Sequence, residues 1–414
     1  MKTAIKNNLG NPAQLEQLYR TNRSAFRRDF TLIYADIREN IAAQIWHERL
    51  NVEKDAIAWG SGRELMGVLA ASFLAGLLAK LPDFFGLRPD YFYARNIAFI
   101  VFPFLTAYFA WKHRLSRLNR LISVFISLAA ALYINMLPAD DKSDTLVLAC
   151  IHLPLLLWTL LGFAYTGGRL TNDQGRLNFL RFNGDLVVMT TLMLIAGGAL
   201  TGITLGLFQL IDLKIEKFYF QHIAIWGLAA APMVGTYLVQ SNPQLVNMVS
   251  PVIAKVFTPL VFVTLVIYLI AVVYTGKDPY TNREFLLLFN ILLIGVMAII
   301  LFSIAGTATS QTSRLNTLML CGLSIVTILL NGIALSAILF RISEWGLTPN
   351  KLAILGGNLL ILTNLLLISY RLFRTVRDQS KIEQVEHSIV SFLPVYGLWA
   401  ALVTFVFPIL FHFK

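Results

Sequence analysis

RISEWGLTPNKLAILGGN, residues Arg341–Asn358, joins two long apolar runs, and its reading decides the fold. Gly346 is placed to take a left-handed conformation and end the incoming helix, with Leu347 as the apolar residue after it. Thr348 then caps the next helix through its hydroxyl. Pro349 falls at the first helical position, where its missing N–H costs nothing. Arg341 and Glu344, three apart, share a helix face and can pair. Trp345 suits a membrane–water boundary. Only Gly346 and Leu347 need lie outside a helix, so the spacing predicts a tight hairpin between two membrane-crossing helices.

Composition extends that reading to the whole chain. Of 414 residues, 57% are hydrophobic and 14% charged, well below the quarter or so typical of a soluble domain. Eleven apolar runs approach the ~20 residues that cross a bilayer, near 65–81, 96–111, 121–138, 145–165, 185–211, 220–240, 252–275, 285–305, 317–340, 350–370 and 389–411. Without water in the bilayer core each must be helical. The expected fold is all-α, a polytopic transmembrane bundle of about eleven spans with a small N-terminal cytoplasmic helical head, divided as residues 1–63 and 64–414. The first apolar run begins near Leu65, so no cleaved leader is expected.

The net charge of +11 follows from Lys and Arg retained beside spans on the cytoplasmic side. No basic patch is interleaved with aromatics, and nucleic acid is not an expected partner. KHRLSRLNR (Lys112–Arg120), the group Arg169, Arg176 and Arg181, and the group Arg371, Arg374, Arg377 and Lys381 fall on one side if there are eleven crossings. That side is expected to be cytoplasmic and to hold the head, with the C-terminus outside. In the head, Asn11-Pro12 starts a short helix. Phe26, Phe30, Ile33, Ile37, Ile41 and Ile45 then form one apolar stripe at steps of three and four. This stripe, residues 26–45, could dock on the bundle, lie on the membrane or bind a protein partner; docking on the bundle is the expected use.

The run Arg341–Lys351, together with NPAQLEQLYR (Asn11–Arg20) and AAQIWHERLN (Ala42–Asn51), resembles a bacterial multi-pass membrane family catalogued as a domain of unknown function. The motifs are short, and the resemblance extends over most of the chain. It implies a bacterial cytoplasmic-membrane protein and carries over no catalytic residue.

Polar residues inside the spans are the candidate site. Asn331 lies ten residues before Arg341, and Asn358 ten after Thr348, which puts both amides ~15 Å below the hairpin on antiparallel helices. They could bond as interhelical glue or line a polar cavity with Asn290 higher on its run and Asn364 deeper. Arg341 and Glu344 are either a surface pair or a gate at the cavity mouth. Gly356 and Gly357 allow close approach. Gly198, Gly202 and Gly206 form a groove expected to receive another helix. His152 and His222 read as packing histidines, with proton relay the other reading. Asp140, Asp141 and Asp144 match an aspartate-rich diphosphate pattern, but a solvated loop explains them, with Asp144 capping the next span. Asp185 reads as a cap at the start of its run. Cys150 and Cys321 sit in apolar runs as core residues.

No catalytic motif, metal cluster or cofactor fingerprint is present in the sequence, so no cofactor is expected. Three functions stay open: a small-molecule or lipid transporter using the midplane amides, an interaction protein acting through its head, and a membrane enzyme on a lipid-linked substrate suggested only by the Asp cluster.

Overall fold

The computed structural model describes all residues except 1, 22, 53–60, 139–142, 170, 210–212, 243–257, 260, 268, 271–282, 308–313, 378–381 and 414. Its described elements are all helices. The chain divides into two compact units, Met1–Ala58 and Trp59–Lys414, a few residues before the boundary expected from sequence.

The first unit has four helices: α1 (Lys2–Asn7), α2 (Pro12–Thr21), α3 (Arg23–Ile37) and α4 (Ile41–Val52). Asn11 caps α2, its Oδ1 accepting the Gln14 N–H at 3.2 Å. The continuous stripe from Phe26 to Ile45 is not formed. Asn40 Oδ1 accepts the N–H groups of Ala42 and Ala43 at 2.8 and 3.4 Å, which ends one helix and starts another. Phe26, Phe30 and Ile33 are buried with Ile5, Leu15, Tyr19 and Trp46. Tyr19 meets Phe26 edge-on at 5.6 Å, and Phe26 meets Trp46 at 5.0 Å. Ile41 and Ile45 are left 73% and 63% exposed. Half of the stripe is therefore consumed by this unit's own core.

In the second unit, several helices begin where a short polar side chain takes an orphan N–H. Ser61 starts α5 (Gly62–Ala79) by accepting from Glu64 N. A short α6 (Leu81–Phe85) leads to α7 (Pro89–Lys112), which has Pro89 at its first turn. Ser116 caps α8 (Arg117–Met136). Ser143 caps α9 (Asp144–Tyr165), accepting from Leu146 N; the cap is this serine and not Asp144. Asp140 and Asp141 lie outside the described residues.

The next helix, α10 (Asp173–Gln209), has 37 residues and starts well before its apolar run, because Asn172 Oδ1 takes the Gly175 N–H at 2.9 Å. Asp185 is thus a mid-helix residue, and the capping role expected for it is lost. A short α11 (Glu216–Tyr219) continues through a π turn (Phe220–Ala224) into α12 (Ile225–Ser241). Then come α13 (Arg283–Thr307), α14 (Arg314–Trp345), α15 (Pro349–Arg377), α16 (Ile382–Ala401), a second π turn (Leu402–Val406) and α17 (Phe407–Leu410). Of the run expected at 252–275, residues 261–267 are helical, and much of the remainder lies outside the described residues.

Among the described residues, nine helices are long and apolar enough to cross a membrane, and Phe289–Ile304 of α13 is a shorter apolar segment. Their outward faces are apolar: on α8, Phe125 is 72% and Met136 82% exposed. This is the surface of a multi-pass membrane protein, with lipid as its solvent.

The hairpin takes the form its residues specify. Gly346 has φ +72°, Lys351 N donates to Thr348 Oγ1 at 3.4 Å, and α15 starts at Pro349. The basic loops also gather at one end. His113 bonds the Tyr165 carbonyl, His387 Nε2 is 3.1 Å from Asp173 Oδ2, and Arg371 donates to the Gln384 carbonyl. The opposite end holds Ser143, whose Oγ donates to the Phe413 carbonyl at 2.9 Å. Glu64, at the start of α5, accepts from Lys112 at 2.8 Å and so lies at the basic end.

One packing expectation fails. A Cβ added at Gly198 or Gly202 would meet no atom within 4 Å, and their neighbours Ile195, Leu200 and Ile203 are exposed. At Gly198 and Gly202 the glycine face of α10 receives no helix among the described residues; the surroundings of Gly206 lie outside them. Close approach occurs at other glycines: a Cβ at Gly356 would overlap the Trp399 ring, and one at Gly76 the Trp226 ring.

Candidate functional site

The seam between α14 and α15 is polar along one face. Ser324 and Asn331 are seven residues apart on α14, and Ser369 and Asn358 eleven apart on α15; both spacings return to the same side of a helix. Ser369 Oγ donates to Ser324 Oγ at 2.8 Å. Two to three turns toward the hairpin, Asn331 Nδ2 donates to the Asn358 carbonyl at 3.2 Å. Asn358 Nδ2 in turn donates to Asn290 Oδ1 of α13 at 2.9 Å. Counting residues from the hairpin places the two amides together, as found. Asn290 was expected higher on its helix; it reaches the level of Asn358 and joins three helices in one chain of amides.

Burial separates the members. Asn331 is fully buried and Asn358 is 4% exposed, whereas Asn290 is partly exposed. Asn364, six residues beyond Asn358, is also fully buried, and its Nδ2 donates to Tyr396 OH of α16 at 3.0 Å. Trp399, which fills the space over Gly356, brings its Nε1 within 4.0 Å of a Cβ position at Gly357.

These amides hold the helices together, but their hydrogen-bonding capacity is not used up. A carbonyl can only accept, so the bond to Asn358 O fixes Asn331 with Nδ2 toward it and Oδ1 turned away. Among the described residues that Oδ1 has no partner, and neither do Asn290 Nδ2, Asn364 Oδ1 and Trp399 Nε1. The unsatisfied atoms are two donors and two acceptors within about two turns of α15. No charged side chain takes part in these bonds. An unpaired buried polar group costs about 1–3 kcal/mol, so four of them are an expensive arrangement unless something pairs with them.

Arg341 and Glu344 do not join this group. They lie ten and thirteen residues from Asn331 on the same helix, roughly 15–20 Å away. Glu344 is exposed, and the Arg341 guanidinium sits 5.1 Å from the centre of the Trp345 ring. Lys351 Nζ donates to the carbonyls of Arg341 and Gly346 at 3.0 and 2.6 Å. This cluster ties down the hairpin.

His152 bonds the Leu148 carbonyl of its own helix at 2.9 Å, as a packing residue does; His222 bonds Phe218 O at 3.2 Å but is exposed. Sequence reasoning missed Arg95, a 3% exposed cation on α7. It donates to Ile134 O, Leu137 O and Pro138 O at 3.2, 3.4 and 3.0 Å, closing the C-terminus of α8, and its guanidinium sits 4.1 Å from the Tyr91 ring centre. The signal was a lone arginine at the edge of an apolar run. Trp399 was missed too, since only volume complementarity with Gly356 marks it.

Comparison with family models, curated proteins and solved structures finds no match to this chain.

Proposed function

We propose that this protein is a membrane carrier for a small uncharged molecule, polar or amphiphilic, bound between α13, α14, α15 and α16. The observation that supports the reading is the set of unpaired buried atoms: Asn290 Nδ2, Asn331 Oδ1, Asn364 Oδ1 and Trp399 Nε1. A ligand with both a donor and an acceptor satisfies them, and the absence of charge among the bonding partners suits a neutral one. Asn290, the partly exposed member, marks the side of entry. The carrier is assigned to a bacterial cytoplasmic membrane, with the basic loops and the N-terminus on the cytoplasmic side. The short motifs at Asn11–Arg20, Ala42–Asn51 and Arg341–Lys351 carry that assignment.

Native mass spectrometry of the gently solubilised protein tests the site. A stoichiometric adduct on the wild type that is lost from an Asn331→Ala, Asn358→Ala double variant is the expected result. A clean protein mass for both defeats the proposal. A second reading, recognition of a protein partner through the N-terminal unit, draws on Ile41 and Ile45, one turn apart and exposed. It predicts that Ile41→Asp with Ile45→Asp abolishes capture of that partner while the unit stays helical.

A further inference from the structure

The turn between α7 and α8 contains a residue that backbone chemistry alone does not choose. Leu115 N donates to Ala110 O at 2.9 Å and Arg114 N to Trp111 O at 3.2 Å, the paired bonds of a Schellman helix ending. Leu115, the apolar residue that closes this motif, is 4% exposed. In such an ending the left-handed position belongs to glycine. Here it is Arg114, at φ +50°. Three other helix endings put glycine at positive φ, Gly86, Gly167 and Gly346, while the ending after α17 puts His412 there at φ +55°. Of these two non-glycine endings, Arg114 is the one that lines a cleft. A strained backbone with a long cationic side chain points to a use for the side chain.

That side chain lines a cleft of about 540 Å³ with Glu64, Trp111, Lys112, Leu115 and Arg120. Glu64 is already engaged, accepting from Lys112 Nζ at 2.8 Å and from Tyr108 OH. Three cations against one carboxylate leave the lining at +2, and the two that supply the excess, Arg114 and Arg120, have no carboxylate partner among the described residues. The N-terminus of α8 opens at the same turn with no acidic residue in its first turn, so the helix dipole adds to the positive potential. Trp111, 54% exposed, has the amphipathic ring that settles at headgroup level.

We infer that the cleft at the α7–α8 turn is a binding site for a phosphate group, gripped by the forked guanidiniums of Arg114 and Arg120 with Lys112 beside them. Guanidinium donors match phosphate oxygens in pairs, and the group is carried either on an anionic lipid or on a soluble ligand. The site is independent of the amide seam and stands whether or not that seam binds a ligand.

Arg114→Gly separates this use from a structural one, because glycine suits the backbone position better. The full-length protein is purified in neutral detergent, and its thermal midpoint is followed with inorganic phosphate, against sulfate-free chloride at equal ionic strength. Retention of phosphatidylglycerol against phosphatidylcholine is measured by native mass spectrometry. For Arg114→Gly the expected result is an unchanged or raised ligand-free midpoint with roughly 10–100-fold weaker anion binding, the loss of one charge-assisted contact pair. Arg120→Gln shows the same loss. Arg117→Gln removes an equal charge from the same turn outside the cleft, and binding stays within about twofold of wild type.

A response to phosphatidylglycerol alone makes the occupant a lipid headgroup; a response to free phosphate makes it a soluble ligand. Either supports the site. Equal binding by wild type, Arg114→Gly and Arg120→Gln overturns it, as does an equal loss in Arg117→Gln, which assigns the effect to diffuse surface charge.

Discussion

Gly356 and Gly357 are neighbours on one helix, yet alanine at the two positions should have opposite consequences. At Gly356 a Cβ overlaps the six-membered ring of Trp399; at Gly357 the nearest atom, Trp399 Nε1, is 4.0 Å away, an ordinary contact. Both substitutions gain helix propensity of about 1 kcal/mol in a helix interior, and that gain cancels when the two variants are compared. What remains is the overlap, typically about 1–3 kcal/mol for an extra carbon forced into a filled space. Gly356→Ala is therefore expected to be about 1–3 kcal/mol less stable than Gly357→Ala, with the latter at or above wild type. Reversible unfolding by SDS titration in mixed micelles measures the difference. Repeating the pair in a Trp399→Leu background should shrink it to within about 0.5 kcal/mol, because distant independent effects add and this one needs the indole. If the two alanines are equally stable in the wild-type background, or if the difference survives without Trp399, the close approach of α16 to α15 at Gly356 would be falsified.

Three further outcomes follow from the bonds described. Asn358→Leu removes the donor to Asn290 Oδ1 and should cost about 0.6–1.7 kcal/mol by the same titration, the range of hydrogen bonds between membrane helices; no change would mean the amide chain contributes nothing. Arg95→Leu strips partners from the carbonyls of Ile134, Leu137 and Pro138, and at about 1–3 kcal/mol per unpaired carbonyl it should lose at least about 2 kcal/mol, with hydrogen exchange rising first at the C-terminal turn of α8. In the N-terminal unit, the hydrogen bond from Lys6 and its charge hold the Asp36 carboxyl below its ordinary value of 3.8. The folded carboxyl titrates lower than the unfolded one, so the pair's small contribution is present above that value and is lost as pH falls through the lowered pKa. Lys6→Met should erase this part of the acid profile, and an unaltered profile would assign it elsewhere.

The hairpin and the Asn11 cap were legible because each depends on residues within four positions of one another: Gly346 for a left-handed ending, Thr348 and Pro349 for a start. The depth of Asn331 and Asn358 was legible by counting from that hairpin, since an α-helix advances by a constant rise. What failed needed either a competing local signal or a partner distant in sequence. A stripe at steps of three and four reads as one helix until Asn40 is weighed as a cap, and the same oversight at Asn172 hid the first turns of α10 and misplaced Asp185. Arg95 falls just outside the apolar run at 96–111, and the carbonyls that hold it belong to the end of the next helix and the turn after it, so no local pattern marks it. Arg114 reads as one more cytoplasmic basic residue until its φ is known, and the open face at Gly198 and Gly202 shows that spacing specifies a groove without specifying an occupant.

The Arg95 clasp has a consequence for biogenesis. During insertion α7 enters the translocon before α8 has been synthesised, and at that stage the guanidinium has no carbonyls to bond. An arginine costs about 2.5–3.5 kcal/mol at a helix centre on insertion scales and less toward the end, where Arg95 lies, a penalty that still favours keeping the segment at the lateral gate. Release into lipid then waits until Ile134, Leu137 and Pro138 have emerged and folded against it, so the two segments partition as one helical hairpin. Glycosylation mapping of truncated nascent chains should show α7 retained in chains ending before Leu137 and released in longer ones, and Arg95→Leu should remove that dependence on length.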